Sequence, residues 1–307
     1  MVRRDEISEH IRHSLVSSIS NLSPYSAIIL SMVLVVLFLI RFYILQGFLL
    51  QKLHGAKYTQ LDDVRQRSFL NHYIAGATKF TILIVAVYPA ASVAFGVAGF
   101  HTPLLRGSRV TMGDLLLIGT QMLTGMFIFE LIYRVKISPM SATHHIASIM
   151  VAQVAITISV KGDEVSSIEF MLCTVWGRQI FLHCPRLSRD ANSPPTGTFD
   201  IIAEFIPHVA LILYRVYPTS HSFLANIFKF ACITTLIGTV SETILIMYIF
   251  GILWNRWPLS FKILTPMLHI AFSAAQFHGT RIFYQVWRKQ ERQLKEAKDS
   301  ENEDNMP

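Results

Sequence analysis

Two adjacent histidines, His144 and His145, lie just inside an apolar stretch that begins Ser138-Pro139. Ser138 is a favourable N-cap and Pro139 a favourable first helical residue, so the pair is expected in the second turn of a helix. A neutral imidazole accepts a proton or attacks a carbonyl, which is the chemistry of acyl transfer. Neighbouring positions differ by about 100° around a helix, so the two rings must point to different sides. One is expected to face the interior of a bundle and the other an adjacent helix. Glu130 and Tyr133, in Glu130-Leu-Ile-Tyr133-Arg134, are the candidate partners across the short turn. A dinuclear iron centre would need several His boxes, and the chain has no HxxHH, so the pair is not read as a metal site. A pair that only braces two helices is the plainer alternative.

A second set of ionisable groups is patterned. Asp200, Glu204, His208 and Arg215 follow one another at intervals of four, four and seven residues. That spacing puts them on one helical stripe, with Pro207 as a kink within it. The stripe fits either a lined cavity or a polar ladder that glues helices together. His269, Ser273, Gln276 and Thr280 form a milder stripe at intervals of four, three and four. It is read mainly as helix–helix hydrogen bonding. Glu242 interrupts another apolar run and needs a partner.

These groups are informative because of what surrounds them. The chain has 307 residues, of which 52% are hydrophobic and only 15% charged. Soluble domains carry about 25% charged residues, so a disordered chain and a soluble enzyme are both excluded. A membrane span needs about 20 apolar residues. Candidate spans lie at about 26–47, 76–99, 113–134, 142–160, 165–184, 200–217, 228–253 and 263–284. The expected fold is therefore an all-α polytopic transmembrane bundle of seven or eight spans. An ionisable residue at that depth is costly and is a functional hypothesis by default.

The remaining organisation is simple. Residues 1–25 form an amphipathic segment with Ile7, Ile11, Leu15, Ile19 and Leu22 on one face. Residues 26–69 hold the first span and a polar connection, 70–290 the main membrane domain, and 291–307 a charged, flexible tail. The net charge of +7 suits loops facing anionic lipid headgroups. Basic residues are not gathered on one face as nucleic-acid binding requires. Cys173, Cys184 and Cys232 show no CxxC spacing and suggest no disulfide framework.

A span ending Glu130-Leu-x-Tyr133, a short basic turn, then His144-His145-Ile-Ala-Ser148-Ile resembles the TLC domain. That family includes ceramide synthases, translocon-associated TRAM proteins and several lipid-homeostasis proteins. Phe-Leu-His (181–183) followed by Arg186, and Leu-Tyr214-Arg215 ahead of Pro218, are weaker likenesses. Together they cover about residues 70–290. Synthases carry His-Asp-x-x-Asp in the span after the histidines. The matching zone here, Val175-Trp176-Gly177-Arg178-Gln179, has neither Asp, so the likeness is closer to non-synthase members.

The resemblance implies helices around a central polar cavity, an endoplasmic-reticulum membrane, and a place in sphingolipid or ceramide metabolism. For synthase members it implies an acyltransferase that N-acylates a long-chain base. Acyl-CoA is then the co-substrate, and no tightly bound cofactor is expected. On that reading His144 and His145 are catalytic, with Glu204 and His208 as further acid–base groups. Glu130, Tyr133, Glu169, Asp200, Arg215 and His269 are the expected substrate contacts. A lipid-binding or lipid-regulating protein without turnover is the second reading, and a solute transporter a third.

Overall fold

The computed structural model describes residues 19–94, 97–161, 196–216, 222–255 and 259–304. The described chain is helical throughout its regular elements. After a short 3-10 turn, α1 (Ser26–Leu39) continues as a π-helix, Ile40–Leu49. Two short helices follow, α2 (Leu50–His54) and α3 (Ala56–Thr59). The long helices are α4 (Asp63–Ala94), α5 (Met112–Tyr133), α6 (Pro139–Lys161), α7 (Thr196–Val216), α8 (Ser222–Leu253) and α9 (Leu259–Asp304). Seven of the eight expected spans thus fall on helices; 165–184 lies outside the described residues.

The architecture is an all-α bundle with transmembrane character. Four helical stretches are long and apolar enough to cross a membrane: Ser23–His54, Asp63–Val93, Met112–Tyr133 and Ser222–Ile244. The first is barely buried, and Ile28, Met32, Val35, Leu39 and Phe42 point outward. An apolar face of that size suits lipid and would be an aggregation hazard in water. The other long helices carry more polar residues, because they turn them inward.

Six helices close a ring. α4 packs on α5, α5 on α6, α6 on α9, α9 on α8, α8 on α7, and α7 back on α4. α1 lies outside this ring against α5. The approach is close at Gly125, where a Cβ would stand 2.7 Å from Cγ1 of Val33. α4 and α7 also come close, with Gly76 of α4 facing His208 Cβ and the Phe205 ring, each 3.8 Å from where a Cβ would be.

The start of α5 is tied down by an interlocking cap. Asp114 Oδ2 accepts from the Thr111 N–H at 2.9 Å, and Thr111 Oγ1 accepts from the Asp114 N–H at 3.2 Å. The other oxygen, Oδ1, accepts from the Ser20 hydroxyl at 2.6 Å. A Cβ at Gly113 would lie 1.9 Å from the Ile19 carbonyl oxygen, so the passing chain demands glycine there. The end of the expected amphipathic segment is thereby fixed to the bundle; residues 1–18 lie outside the described residues.

The charged tail at 291–304 continues α9 as helix. Its Arg, Lys, Glu, Gln and Ala residues are strong helix formers, and Arg288 pairs with Glu291 at 2.8 Å on the exposed face.

Asp114→Ala would leave the buried Ser20 hydroxyl and Thr111 N–H without their acceptor. It is expected to destabilise the protein by about 1–3 kcal/mol, read as a lowered thermal midpoint in detergent. An unchanged midpoint would show that the cap does not hold the N-terminal segment.

Candidate functional site

The ring helices line an open cavity of about 510 Å3. That lies within the range of about 300–1,000 Å3 typical of small-molecule sites. All six ring helices contribute to its wall. The polar groups enter chiefly from α4 (Ser68, His72, Lys79), α5 (Glu130), α6 (His144, His145) and α7 (His208, Arg215). Met126, Phe127, Leu211, Ile282 and Phe283 supply apolar surface.

Glu130 is the centre of this arrangement. It is 5% exposed and sits in the last turn of α5. Oε1 pairs with Arg134 Nη1, one helical turn later, and Oε2 lies 3.5 Å from His145 Nε2. The second distance is long for a hydrogen bond and leaves the two groups in near contact. Contacts of this kind commonly tighten only when substrate arrives. The Phe127 ring stacks on the His145 imidazole, with centroids 4.6 Å apart and planes at 22°. The imidazole is thus covered on one side by an aromatic face, with a carboxylate 3.5 Å from Nε2. Both ring nitrogens are buried, and neither has a hydrogen-bond partner among the described residues.

The start of α6 forms as the sequence indicates. Ser138 Oγ accepts from the Ser141 N–H at 3.1 Å, and Pro139 is the first helical residue. The His144 ring lies 5.6 Å from the His145 ring, near the same Phe127, and meets Phe272 of α9 edge-on at 5.2 Å.

A second imidazole pair stands across the cavity. His72 Nδ1 and His208 Nδ1 are 3.2 Å apart, so one ring must donate and the other accept. Arg215 Nη2 donates to Ser68 Oγ at 2.9 Å. Buried Lys79 lines the same wall. Among the described residues, no three His, Cys, Asp or Glu side chains converge as metal ligands.

The expected site residues divide into three groups. His144, His145, His208, Glu130 and Arg215 meet in the cavity. Tyr133 and His269 do not line it. Tyr133 is buried in a hydrophobic cluster with Leu37, Leu45, Phe69 and Phe129, under the Arg41 guanidinium 4.2 Å from its ring. Three positions past Glu130 the helix has turned by about 300°, enough to aim Tyr133 at the outer packing. His269 bonds Ser273 at 3.3 Å within α9, on the face that meets α8. There Ser273 reaches Thr243 at 3.4 Å, Gln276 donates to Glu242 at 2.8 Å, and Thr280 donates to Thr235 at 3.1 Å. This is a polar zipper, and it supplies Glu242 with a partner. Glu169 and the side chains of Asp200 and Glu204 lie outside what is described.

Ser68, His72 and Lys79 were not among the expected site residues. Their spacing of four and seven places them on one face of α4, the same signal that singled out α7. An apolar window starting at 76 assigns Ser68 and His72 to a loop, whereas α4 starts at Asp63.

Compared with protein-family models, with curated proteins and with solved structures, the chain matches none.

Glu130→Gln is expected to destabilise the protein by about 3–5 kcal/mol, because it leaves Arg134 partly buried without its counter-charge. Glu130→Gln combined with Arg134→Met should recover part of that loss. Thermal unfolding of both variants in detergent checks this; strictly additive losses would show that the pair is not coupled.

Proposed function

We propose that this chain is an integral membrane protein of lipid metabolism that transfers an acyl group from acyl-CoA to a lipid amine within the ring cavity. The likeness of its His-His segment to the TLC domain supports a sphingolipid or ceramide setting and an endoplasmic-reticulum membrane. The observation that carries the reading is the contact between Glu130 and His145 inside a cavity with apolar walls.

The chemistry follows from which nitrogen is occupied. The reading assigns the ring proton to Nε2, the nitrogen that faces Glu130, so that the carboxylate fixes the tautomer once the contact tightens. Nδ1 is then the basic atom, and it has no partner among the described residues. It takes a proton from the attacking amine as the nitrogen bonds to the thioester carbonyl. The tetrahedral intermediate collapses to the amide, and the thiol leaves with the proton that His145 returns. Glu130 compensates the imidazolium while it exists, as an orienting carboxylate does in other His-based acyl transfers. Glu130 itself is kept in place by Arg134.

Purified full-length protein offered a panel of sphingoid bases and labelled acyl-CoA tests this. His145→Ala is expected to lose about 10²–10⁴-fold in turnover, the worth of a general base. Equal turnover by variant and wild type sinks the reading.

Lipid binding without turnover is the second reading, favoured by Val175-Trp176-Gly177-Arg178-Gln179 in place of the synthases' Asp pair. In that case lipid co-purifies with the protein, His145→Ala retains it, and no base in the panel is acylated.

A further inference from the structure

A smaller pocket of about 190 Å3 shares Ser68, Arg134 and Arg215 with the central cavity. Val64, Arg65, Val135 and Lys136 complete its wall. The start of α4, the turn after α5 and the end of α7 meet there. Its charged lining is Arg65, Arg134, Lys136 and Arg215, with no carboxylate among the described residues.

Nearby acceptors answer only part of that charge. Arg65 Nε reaches Asp62 at 3.2 Å, but both side chains are largely exposed, so water screens the pair. Arg134 gives Nη1 to Glu130, and Arg215 gives Nη2 to Ser68. Arg134 Nε and Arg215 Nη1 are buried with no hydrogen-bond acceptor among the described residues. Both belong to residues that line both pockets. Arg134 and Arg65 also exert like-charge repulsion on Arg215.

Stability does not account for this arrangement. Idle buried donors forfeit their hydration, and clustered like charges repel. An anion with several oxygens would relieve both at once. Guanidinium donors suit phosphate oxygens, which accept from a planar fork in paired fashion.

We propose that this pocket binds the phosphate group of an amphiphile. The phosphate sits among Arg134, Lys136 and Arg215, and the apolar portion extends into the central cavity toward Phe127 and His145. The inference shares that cavity with the acyl-transfer reading but needs no turnover, so a binding measurement separates the two.

The test is native mass spectrometry of the full chain in detergent. One probe is dioleoyl phosphatidic acid, and the other is dioleoylglycerol, which has the same chains and no phosphate. Phosphatidic acid is expected to bind at one per chain, and dioleoylglycerol much more weakly. Arg215→Gln and Lys136→Gln should each weaken binding by about tenfold, the worth of one charge-assisted hydrogen bond. Lys289→Gln removes the same charge on an exposed face of α9 and should leave binding unchanged. If Arg215→Gln does not fold, Lys136→Gln, which alters a loop residue, decides. Glycerol 3-phosphate competing with an equal Arg215→Gln loss would assign a soluble phosphate ester to the same site. Equal binding of the two lipids would overturn the proposal. So would a loss in Lys289→Gln matching that in Arg215→Gln, since general charge attraction would then be the cause.

Discussion

A carboxylate enclosed by helices that face lipid must be neutralised where it sits, because no water is at hand to solvate it. Glu130 meets that constraint with two partners of different origin. Arg134 comes from its own helix, four residues on, in the order that suits the helix dipole. His145 comes from the next helix. The first contact neutralises the charge, and the second spends the remaining oxygen on the group that can do chemistry. The turn between α5 and α6 is short enough to bring both together. The ring of α4 to α9 then surrounds them with helices on all sides that are described.

Many hydroxyl and amide side chains of the bundle, some of them at the cavity wall, are satisfied locally. Thr234, Thr235, Thr239 and Thr243 return their hydroxyls to carbonyls four residues earlier on α8. Ser148 and Thr157 do the same on α6. Such back-bonding makes a hydroxyl compatible with an apolar setting without any neighbour. Glu242, Gln276, Ser273 and His269 join across α8 and α9 as glue. Imidazoles and cations cannot be hidden by back-bonding to their own helix, and these are the groups collected in the cavity.

The helical bundle and much of the site were legible in the sequence for one reason. In an apolar chain each ionisable residue is conspicuous, and its spacing shows which face it occupies. That logic picked out Glu130, His145, His208 and Arg215 before their neighbours were known. It missed His72 because a hydropathy window ends where polarity begins, although α4 runs on through polar Ser68 and His72. It misplaced Tyr133 because distance along a chain says nothing of which packing surface a side chain meets. The α8–α9 zipper was half legible: the stripe on α9 was visible, but its partners on α8 are set by tertiary register. The charged pocket at the helix ends was not legible at all. Arg65, Arg134, Lys136 and Arg215 come from three separate stretches, and only ring closure joins them.

Ring closure also explains why adjacent histidines carry different duties. Polar ties hold three seams: His72 to His208 and Ser68 to Arg215 between α4 and α7, Glu130 to His145 between α5 and α6, and the zipper between α8 and α9. At the seam between α6 and α9, the His144 ring meets the Phe272 ring edge-on. Both imidazoles line the cavity, but the 100° step between neighbouring positions sets His145 beside Glu130 and His144 beside Phe272 of α9. Removing either ring would therefore disturb the site by a different route. Loss of His145 removes the group that faces the carboxylate, whereas loss of His144 loosens the wall that shields it. The doubled histidine at the start of α6 thus gives the cavity two imidazoles with different neighbours, a carboxylate for His145 and an aromatic ring of α9 for His144.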